Sequence, residues 1–404
     1  MVRRRSPAHG TLSVKVPPTE RREFLPFAPP ALGQEEIDAV VDTLRSPWIT
    51  TGPKVQRFEK EFRAYLNAPG ALAVNSCTAA LHTALICLGI GPGDEVVTTP
   101  ITFAATVNVI EHTGARPVLA DVSPTTLNID PAAIATVLSP RTRAIIPVHF
   151  AGHPAHMDEI DALAAQNRLH VIEDAAHALP AAYRGHRIGA RRNPTAFSFY
   201  ATKNLTTGEG GMLTGDVEFL ERARIVSLHG MSRDAWKRYG NSAQWFYEIT
   251  EPGFKYNMTD IQAAIGIVQL AKLGQLHERR CQIAAMYTAA FADEEALELP
   301  VTEPGIDHAW HLYVLRFRHN TLRIDRNRFI DELTRRRIGT SVHFIPIHLH
   351  PYYRDRYGYE PQAFPIAYDS YERMLSIPLN PRMSDQDAMD VIENVLDVID
   401  EFRR

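Results

Sequence analysis

Short apolar runs alternate with segments of helical spacing over the first 215 residues of the chain. Apolar or β-branched runs at 71–75, 94–98, 116–122, 143–149, 170–174, 195–200 and 212–214 predict buried strands. Apolar residues three and four positions apart predict helices at 34–44, 55–66, 77–88, 103–112, 131–138 and 157–166. Strands that alternate with helices of about ten residues indicate an α/β fold, in which a mostly parallel sheet is covered on both faces.

The pattern changes after residue 215. Helices are predicted at 217–228, 260–273 and 275–291, while 232–256 is irregular and aromatic. A second unit follows, with predicted strands at 310–318 and 340–344 and predicted helices at 325–337 and 385–402. We therefore predict a large domain over 24–273 and a smaller α+β domain over 274–404, preceded by a disordered basic tail over 1–23.

Composition and charge narrow the class of protein. The net charge of −4 gives no electrostatic footprint for nucleic acid, and no run of 18 or more apolar residues predicts a membrane span. The basic N-terminus lacks the apolar segment of a secretory signal. Three cysteines, Cys77, Cys87 and Cys281, form no CxxC pair, which fits a reducing compartment. We expect a cytoplasmic protein with neither a nucleic acid nor a membrane as partner.

Candidate chemistry lies just after the strands, because ligands of such sheets bind beyond the carboxyl ends of the strands. Lys203 follows the strand predicted at 195–200, where burial disfavours the ammonium form, lowers the pKa and makes the amine a nucleophile. Asp174 ends the strand at 170–174. Its carboxylate suits either a helix cap or a buried cationic nitrogen.

An anion site and an aromatic surface accompany these two residues. Ser76, Cys77 and Thr78 open a helix, whose free N–H groups bind phosphate unless Ser or Thr merely caps the helix. Ser198 lies five residues before the lysine, within reach of such a phosphate. Phe103 is either a core residue or a stacking surface for a flat ring. Phosphate anchor, ring surface, carboxylate and lysine are the set that pyridoxal phosphate requires.

Two groups of histidines have other interpretations. His343, His348 and His350 match no zinc spacing, and no cysteine or carboxylate completes a set, so no metal site is predicted. His308 and His311 flank a tryptophan, and we predict a packing or capping role for both.

Several ordered motifs resemble one known family. The chain is similar to the DegT/DnrJ/EryC1/StrS family of pyridoxal-phosphate-dependent sugar aminotransferases from about residue 24 to the C-terminus. The motifs that carry the resemblance are WITTGPKVQRFEKEF, NSCTAALHTAL, GPGDEVVTTPITFAAT, PVHFAGHPAHMDEI, VIEDAAHA, FSFYATKNLTTGEGGM, GFKYNMTDIQAAIG, HAWHLYVLR and GTSVHFIPIHLHPYY. The resemblance implies PLP fold type I, the aspartate aminotransferase-like fold.

The resemblance also implies roles for individual residues. Lys203 matches the lysine that binds the cofactor's aldehyde, and Asp174 matches the aspartate at the pyridine nitrogen. His177 matches the position that contacts the ring hydroxyl, and Phe103 matches the stacking aromatic. The implied phosphate ligands are the backbone at Cys77 and Thr78 and the side chains of Ser198 and Asn257. Many members have glycine where this chain has Cys77.

The last of these ligands implies a partner. Asn257 matches an asparagine that the neighbouring subunit contributes, which implies a homodimer with shared active sites. The resemblance places four residues in regions that line the sugar pocket: Trp48, Thr50, Thr51 and His343.

The implied reaction moves an amino group from L-glutamate, leaving 2-oxoglutarate, to C4 of a nucleotide-linked 4-keto sugar. A 3-keto sugar or a cyclitol ketone stays open as the acceptor. Related dehydratases carry histidine at the lysine position, so Lys203 disfavours dehydration. A non-catalytic regulatory protein that binds the cofactor is the remaining alternative.

Overall fold

The structure, a computed structural model, describes residues 21–232 and 247–404. Most of the predicted tail over 1–23 and most of the predicted irregular segment over 232–256 therefore lie outside the described residues. The predicted disorder of the tail stays a prediction. Arg21, near its end, forms ion pairs with Asp387 at 2.8 Å and Asp390 at 2.5 Å, two carboxylates of the terminal helix.

A mostly parallel sheet forms the centre of the large part of the molecule. Strands β3, β2, β4 and β5 lie side by side and are all parallel. Strand β6 is parallel to β9, and β10 is antiparallel to both of its neighbours, β9 and β1. A parallel bridge between Val148 and Asp174 connects the two groups. The strands are β1 (Ala71–Val74), β2 (Glu95–Thr98), β3 (Arg116–Leu119), β4 (Thr142–Ile146), β5 (His170–Val171), β6 (Glu173–Asp174), β7 (Ala182–Tyr183), β8 (His186–Arg187), β9 (Thr195–Ser198), β10 (Gly211–Thr214), β11 (Leu297–Glu298), β12 (Ile306–Asp307), β13 (Tyr313–Phe317) and β14 (Met374–Ile377).

Both faces of this sheet are covered, which explains why its strands read as continuous apolar runs. Val97 and Ile145 belong to one buried cluster, whereas their neighbours Val96 and Ile146 belong to the cluster on the opposite face. The covering helices and the others are α1 (Gln34–Arg45), α2 (Pro53–Leu66), α3 (Cys77–Cys87), α4 (Ala104–His112), α5 (Pro131–Val137), α6 (Met157–Asn167), α7 (Val217–Val226), α8 (Asp260–Phe291), α9 (Arg326–Arg335), α10 (Pro351–Tyr357), α11 (Pro365–Arg373) and α12 (Asp385–Phe402).

Helix α8 connects the sheet to a second core. Its first half packs Ala263 and Leu273 into the cluster beside the sheet, and its second half packs Ile283 and Phe291 into a C-terminal cluster. The predicted break between two helices near residue 274 is wrong. Gly274 faces open space, and its cost of about 1 kcal/mol is small beside the burial on either side. The division into domains at 273 and 274 stays a prediction.

The C-terminal core contains an antiparallel sheet in the order β11, β13, β14. The strand predicted at 340–344 is wrong, because Ser341 forms only an isolated bridge with Ser376. Helices α10 and α11 were not predicted from the sequence. Each begins with a proline, whose fixed φ is preorganised for the first helical turn.

Candidate active site

A cavity of about 500 Å³ lies beyond the carboxyl ends of β6 and β9 and beside the start of α3. It brings together residues that are far apart in sequence, as expected for a mostly parallel sheet. Eight of the predicted site residues line it: Cys77, Thr78, Phe103, Asp174, His177, Ser198, Lys203 and His343.

Lys203 lies in a turn that follows β9. Its backbone N–H donates to the carbonyl of Tyr200 at 2.9 Å. Burial against the cavity wall lowers the pKa of Lys203 to about 8, although Cys77 and Asp174 act in the opposite direction. A lysine with such a pKa carries a substantial fraction of neutral amine near pH 7, which is the form that attacks a carbonyl.

Asp174 is buried at the end of β6, and hydroxyl and amide groups fix its carboxylate. The Thr106 hydroxyl donates to Oδ2 at 2.8 Å, and the Ala176 N–H donates to Oδ1 at 3.1 Å. Burial raises the pKa of Asp174, while these two hydrogen bonds and Lys203 oppose the rise. Because Thr106 gives its proton to the carboxylate, the Thr102 hydroxyl must donate to Thr106, at 2.7 Å.

The start of α3 forms the opposite end of the cavity. The Ser76 hydroxyl accepts from the N–H of Ala79 at 3.1 Å, which leaves the amides of Cys77 and Thr78 without intrahelical acceptors. Gly211 is required here, because a Cβ at that position would lie 2.5 Å from the Ser76 carbonyl carbon. Such a helix start, with its dipole and free amides, suits a phosphate.

The thiol of Cys77, at the start of α3, is not activated as a nucleophile. Burial raises the pKa of Cys77 well above its usual value, and Asp174 adds to that rise. A thiol with a raised pKa is a poor nucleophile at neutral pH. The helix start therefore offers its backbone, and the cysteine in place of the family's glycine adds no reactive group.

Aromatic and imidazole rings form the walls. Phe103 is 64% exposed at the cavity, with its ring centroid 6.0 Å from that of Phe344. The His177 ring stacks against Phe344 at 5.7 Å, and burial lowers its pKa well below the usual value. Its Nδ1 is buried with no hydrogen-bond partner among residues 21–232 and 247–404. The cavity wall therefore contains a polar atom, His177 Nδ1, that is open to a hydrogen bond from a ligand.

Two further histidines reach the cavity from the C-terminal part of the chain. His343 has its Nδ1 2.9 Å from the Ser376 hydroxyl and stacks on Phe27 at 5.4 Å. Burial, reinforced by Lys203, lowers the pKa of His343 to about 4, so the ring is neutral near pH 7. His311 also lines the cavity. His308 Nδ1 accepts from the Trp310 N–H at 2.8 Å, and the packing or capping role of His308 and His311 stays a prediction.

The other predicted residues lie outside this cavity. The Asn257 amide donates to the Thr51 hydroxyl at 2.6 Å, and that hydroxyl donates to the carbonyl of Met258 at 2.6 Å. Thr50 accepts from the N–H at the start of α8 at 3.0 Å, and Trp48 lies on the same loop. Asn257 and the WITTGP loop thus form a separate polar cluster, and their predicted role at a site shared between subunits stays a prediction.

Sequence analysis missed several residues that line the cavity. The threonines that support Asp174 were not considered; Thr106 lies in the first turn of α4, and Thr102 lies just before the helix begins. The other missed residues gave no local signal, because the fold alone brings them to the cavity. They are Tyr200, Glu209, His311 and Phe344.

The described parts of the chain have neither a candidate metal site nor a candidate membrane span. No three histidine, cysteine, aspartate or glutamate side chains of these parts are grouped so that they could hold a metal ion. Within the same parts, no helix has both the length and the apolar character that crossing a membrane requires.

The arrangement fits pyridoxal phosphate. The start of α3 supplies amides for a phosphate, Lys203 supplies an amine of lowered pKa, and Asp174 supplies a carboxylate that the Thr106 hydroxyl holds in place. The exposed ring of Phe103 supplies a flat apolar surface. These residues would hold the phosphate, the aldehyde, the ring nitrogen and the ring face respectively.

Comparison with known proteins agrees with this fit. The chain is 52% identical over 382 residues to the spore coat polysaccharide biosynthesis protein SpsC of Bacillus subtilis, which covers 94% of this chain and 98% of SpsC. It resembles Spr1654 of Streptococcus pneumoniae, whose solved structures include a PMP-form and a PLP-form. The PMP-form matches with a TM-score of 0.88 and 34% identity, over 93% of this chain and 99% of that one.

A third relative is PseC of Helicobacter pylori, an aminotransferase involved in the biosynthesis of pseudoaminic acid. It matches with a TM-score of 0.87 and 28% identity, over 94% of this chain and 100% of PseC. The α/β fold is therefore PLP fold type I, and the cofactor is pyridoxal phosphate. The sequence model of one family matches residues 30–396 of the chain. With its lysine, aspartate and helix start in one cavity, the chain belongs to the DegT/DnrJ/EryC1/StrS aminotransferase family.

Proposed function

We propose that the protein moves an amino group from L-glutamate to a nucleotide-linked 4-keto sugar, giving a 4-amino sugar nucleotide and 2-oxoglutarate. The observation that carries this proposal is the position of Lys203, whose amine shares one cavity with Asp174 and the start of α3. Pyridoxal phosphate supplies, when bound, an aldehyde that takes up the amino group and a ring that withdraws electrons.

The side chains perform the remaining work. The Lys203 amine would hold the aldehyde of the bound cofactor. When the amino donor takes its place, the freed Nζ would accept the proton of the donor's α-carbon, and in the second half-reaction it would give a proton to the acceptor carbon. A pKa of about 8 suits this exchange, because about a tenth of the amine is then neutral at pH 7 and the remainder can give a proton back.

Asp174 has an electrostatic role. Its buried carboxylate, fixed by the Thr106 hydroxyl and the Ala176 amide, would hold a proton on the ring nitrogen. Burial also favours the neutral acid, so the carboxylate depends on these hydrogen bonds to stay ionised.

Relatives support a sugar acceptor. SpsC is named for polysaccharide biosynthesis and PseC for the biosynthesis of a sugar acid, pseudoaminic acid. The preference for C4 rests on overall resemblance, and the stretches IIPVHFAG, EDAAHA and GFKYN are similar to the UDP-4-amino-4-deoxy-L-arabinose aminotransferase. A 3-keto sugar or cyclitol ketone is the second candidate acceptor.

We propose further that the protein is a homodimer in the cytoplasm, with active sites shared between subunits. Support comes from the cluster of Asn257 and Thr51, two predicted site residues that lie away from the cavity of their own chain. Beside this cluster, α1 exposes Ile37, Val41 and Leu44 on one face, and a second subunit would cover them.

A turnover screen tests the proposed reaction. The purified protein is loaded with pyridoxal phosphate and given L-glutamate with UDP-, dTDP- or GDP-linked 4-keto and 3-keto sugars, and amino products are detected by mass. We expect an amino sugar nucleotide from at least one 4-keto sugar. Amination of only 3-keto sugars or cyclitol ketones would replace the proposed acceptor. Loss of a sugar hydroxyl without amine transfer would instead indicate a dehydratase.

A further inference from the structure

The segment around His311 is held in a strained conformation by several independent contacts. Trp310 has a φ of 46°, in the left-handed region that side chains other than glycine rarely adopt. The His308 ring stacks on the Trp310 ring at 4.1 Å. From the other side, the buried Arg280 guanidinium donates to the carbonyls of Trp310 at 3.3 Å and Leu379 at 2.7 Å. Strain held in place by such contacts is typical of functional positions.

Gly152 allows this segment to approach the cavity wall. The glycine has a φ of 99°, and a Cβ there would lie 3.0 Å from the carbonyl oxygen of His177 and 3.1 Å from the backbone nitrogen of His311. The carbonyl of Gly152 accepts from the N–H of Ala309 at 2.9 Å. The backbone at 152 therefore fixes the His311 segment against the His177 segment, and the centroids of the two rings lie 4.3 Å apart.

Asn204, the residue after Lys203, contacts the same segment. Its Nδ2 lies 2.9 Å from the carbonyl oxygen of Leu179 and 2.8 Å from that of Ala309. Carbonyl oxygens only accept hydrogen bonds, so the atom facing both of them must be the NH₂ group, and the orientation of the amide is settled. The Asn204 Oδ1 then faces His311 Nδ1 at 3.1 Å, where an acceptor requires a donor.

This contact determines the protonation of His311. Nδ1 must carry a hydrogen to donate to Asn204, and burial lowers the pKa of His311 well below the usual value. The charged or titratable groups around the ring, His177, Lys203, Arg280 and His343, reinforce that shift. The ring is therefore neutral, with a lone pair on Nε2. Within residues 21–232 and 247–404 the ring is held through Nδ1 to Asn204, and the ring lines the cavity, which leaves Nε2 for a ligand.

We propose that His311 is a substrate-binding residue whose Nε2, oriented by Asn204, accepts a hydrogen bond from a hydroxyl group of the acceptor sugar. The proposal rests on the proposed function, since it concerns the sugar half-reaction. A neutral imidazole with a fixed lone pair selects hydroxyl donors, and an acceptor that lacks the hydroxyl leaves the lone pair unsatisfied. Glutamate carries no hydroxyl group, so its half-reaction does not use this contact.

The tautomer is measured directly in the enzyme loaded with pyridoxal phosphate. Two-bond ¹H–¹⁵N NMR of ¹⁵N-histidine-labelled protein distinguishes the ring nitrogens, and His311→Asn assigns the signals by difference. We expect a neutral ring at pH 7 with the proton on Nδ1. A proton on Nε2, or on both nitrogens, overturns the proposal whatever the enzyme's substrate is.

The two half-reactions then separate substrate binding from a merely structural role. His311→Asn keeps a side-chain NH₂ near Asn204 but has no equivalent of Nε2. The glutamate half-reaction is followed by the loss of the cofactor's aldehyde absorbance, and we expect its rate to stay within about twofold of the wild type. The KM for the keto sugar should rise about tenfold. The matched control is His319→Asn, an exposed histidine that pairs with Asp369 outside the cavity, which should change neither value.

Other outcomes decide between the two proposals. Equal damage to both half-reactions in His311→Asn overturns the hydroxyl contact, because a structural defect affects glutamate as well. If the wild-type enzyme reacts with L-glutamate but aminates none of the keto sugars, the proposed function fails and the hydroxyl contact fails with it. The NMR result for the tautomer stands independently of that failure.

Discussion

Removing the Thr106 hydroxyl is expected to raise the pKa of Asp174 and weaken the hold on the cofactor. Thr106→Val keeps the shape of the side chain but deletes the donor that lies 2.8 Å from Asp174 Oδ2. A hydrogen bond to a charged group contributes about 1.5–3 kcal/mol, and about 1.4 kcal/mol corresponds to one pKa unit. The loss should therefore raise the pKa of Asp174 by about one to two units.

The direction follows from the charge. The hydroxyl stabilises the ionised form, and burial already raises the pKa of Asp174, so losing the hydroxyl moves the pKa further in the same direction. The carboxylate is then lost at a higher pH than in the wild type. A carboxyl group that is neutral near pH 7 no longer holds a proton on the ring nitrogen.

The assay is ¹³C NMR of the Asp174 carboxyl as a function of pH, with Asp174→Asn used to assign the signal, together with the Kd of pyridoxal phosphate. The matched control is Thr98→Val. Thr98 is also a buried threonine, and its hydroxyl donates to the carbonyl of Ile146 at 2.8 Å, away from Asp174. Thr98→Val should lose about 1 kcal/mol of unfolding free energy and Thr106→Val about 1.5–3 kcal/mol, and only Thr106→Val should shift the pKa. An unshifted pKa in Thr106→Val, or an equal shift in Thr98→Val, would refute the reasoning.

Three further predictions concern other parts of the site. In cofactor-free protein, the rate at which pyridoxal phosphate is captured should rise with pH, reach half of its maximum near pH 8 and level off above that. At pH 7, Lys203 then has about 300-fold more neutral amine than a lysine of pKa 10.5; a rise that continues to pH 10 would contradict this. Gly211→Ala should weaken pyridoxal phosphate binding at least about tenfold, because its Cβ displaces Ser76 at the start of α3, whereas Gly274→Ala, which faces open space, should not. If sites are shared, mixing inactive Lys203→Ala with inactive Asn257→Ala protein should restore about a quarter of wild-type turnover, and no recovery after subunit exchange would count against sharing.

The sequence predicted the strands of the large sheet well because burial on both faces makes each of them a continuous apolar run. The terminal helix α12 was predicted with its observed bounds, since Ser384 caps it and apolar residues follow with helical spacing. The helix break predicted at Gly274 was wrong, because α8 is kept continuous by packing into two separate cores, and no local sequence pattern shows that packing. The run at 340–344 has strand-like composition but only one bridge.

The cofactor residues could be predicted because each follows a strand or opens a helix, positions that the pattern itself marks. Lys203 and Asp174 are examples, and the structure brings both to one cavity. Residues such as His311 and Thr106 could not be assigned in the same way. Their roles depend on a neighbour distant in sequence, 107 positions away for Asn204 and His311 and 68 for Thr106 and Asp174. Only the folded chain shows which side chain receives each hydrogen bond.

The most direct test of the central claim is the spectrum of the pyridoxal-phosphate-loaded enzyme during a single incubation with L-glutamate, without an acceptor sugar. We expect the visible absorbance of the lysine-bound cofactor to disappear as the pyridoxamine form and 2-oxoglutarate appear in equal amounts. Lys203→Ala should show neither the starting absorbance nor the conversion. Conversion by Lys203→Ala at the wild-type rate, or a wild-type spectrum that glutamate leaves unchanged, would contradict the assignment of Lys203 as the catalytic lysine of an aminotransferase that uses glutamate.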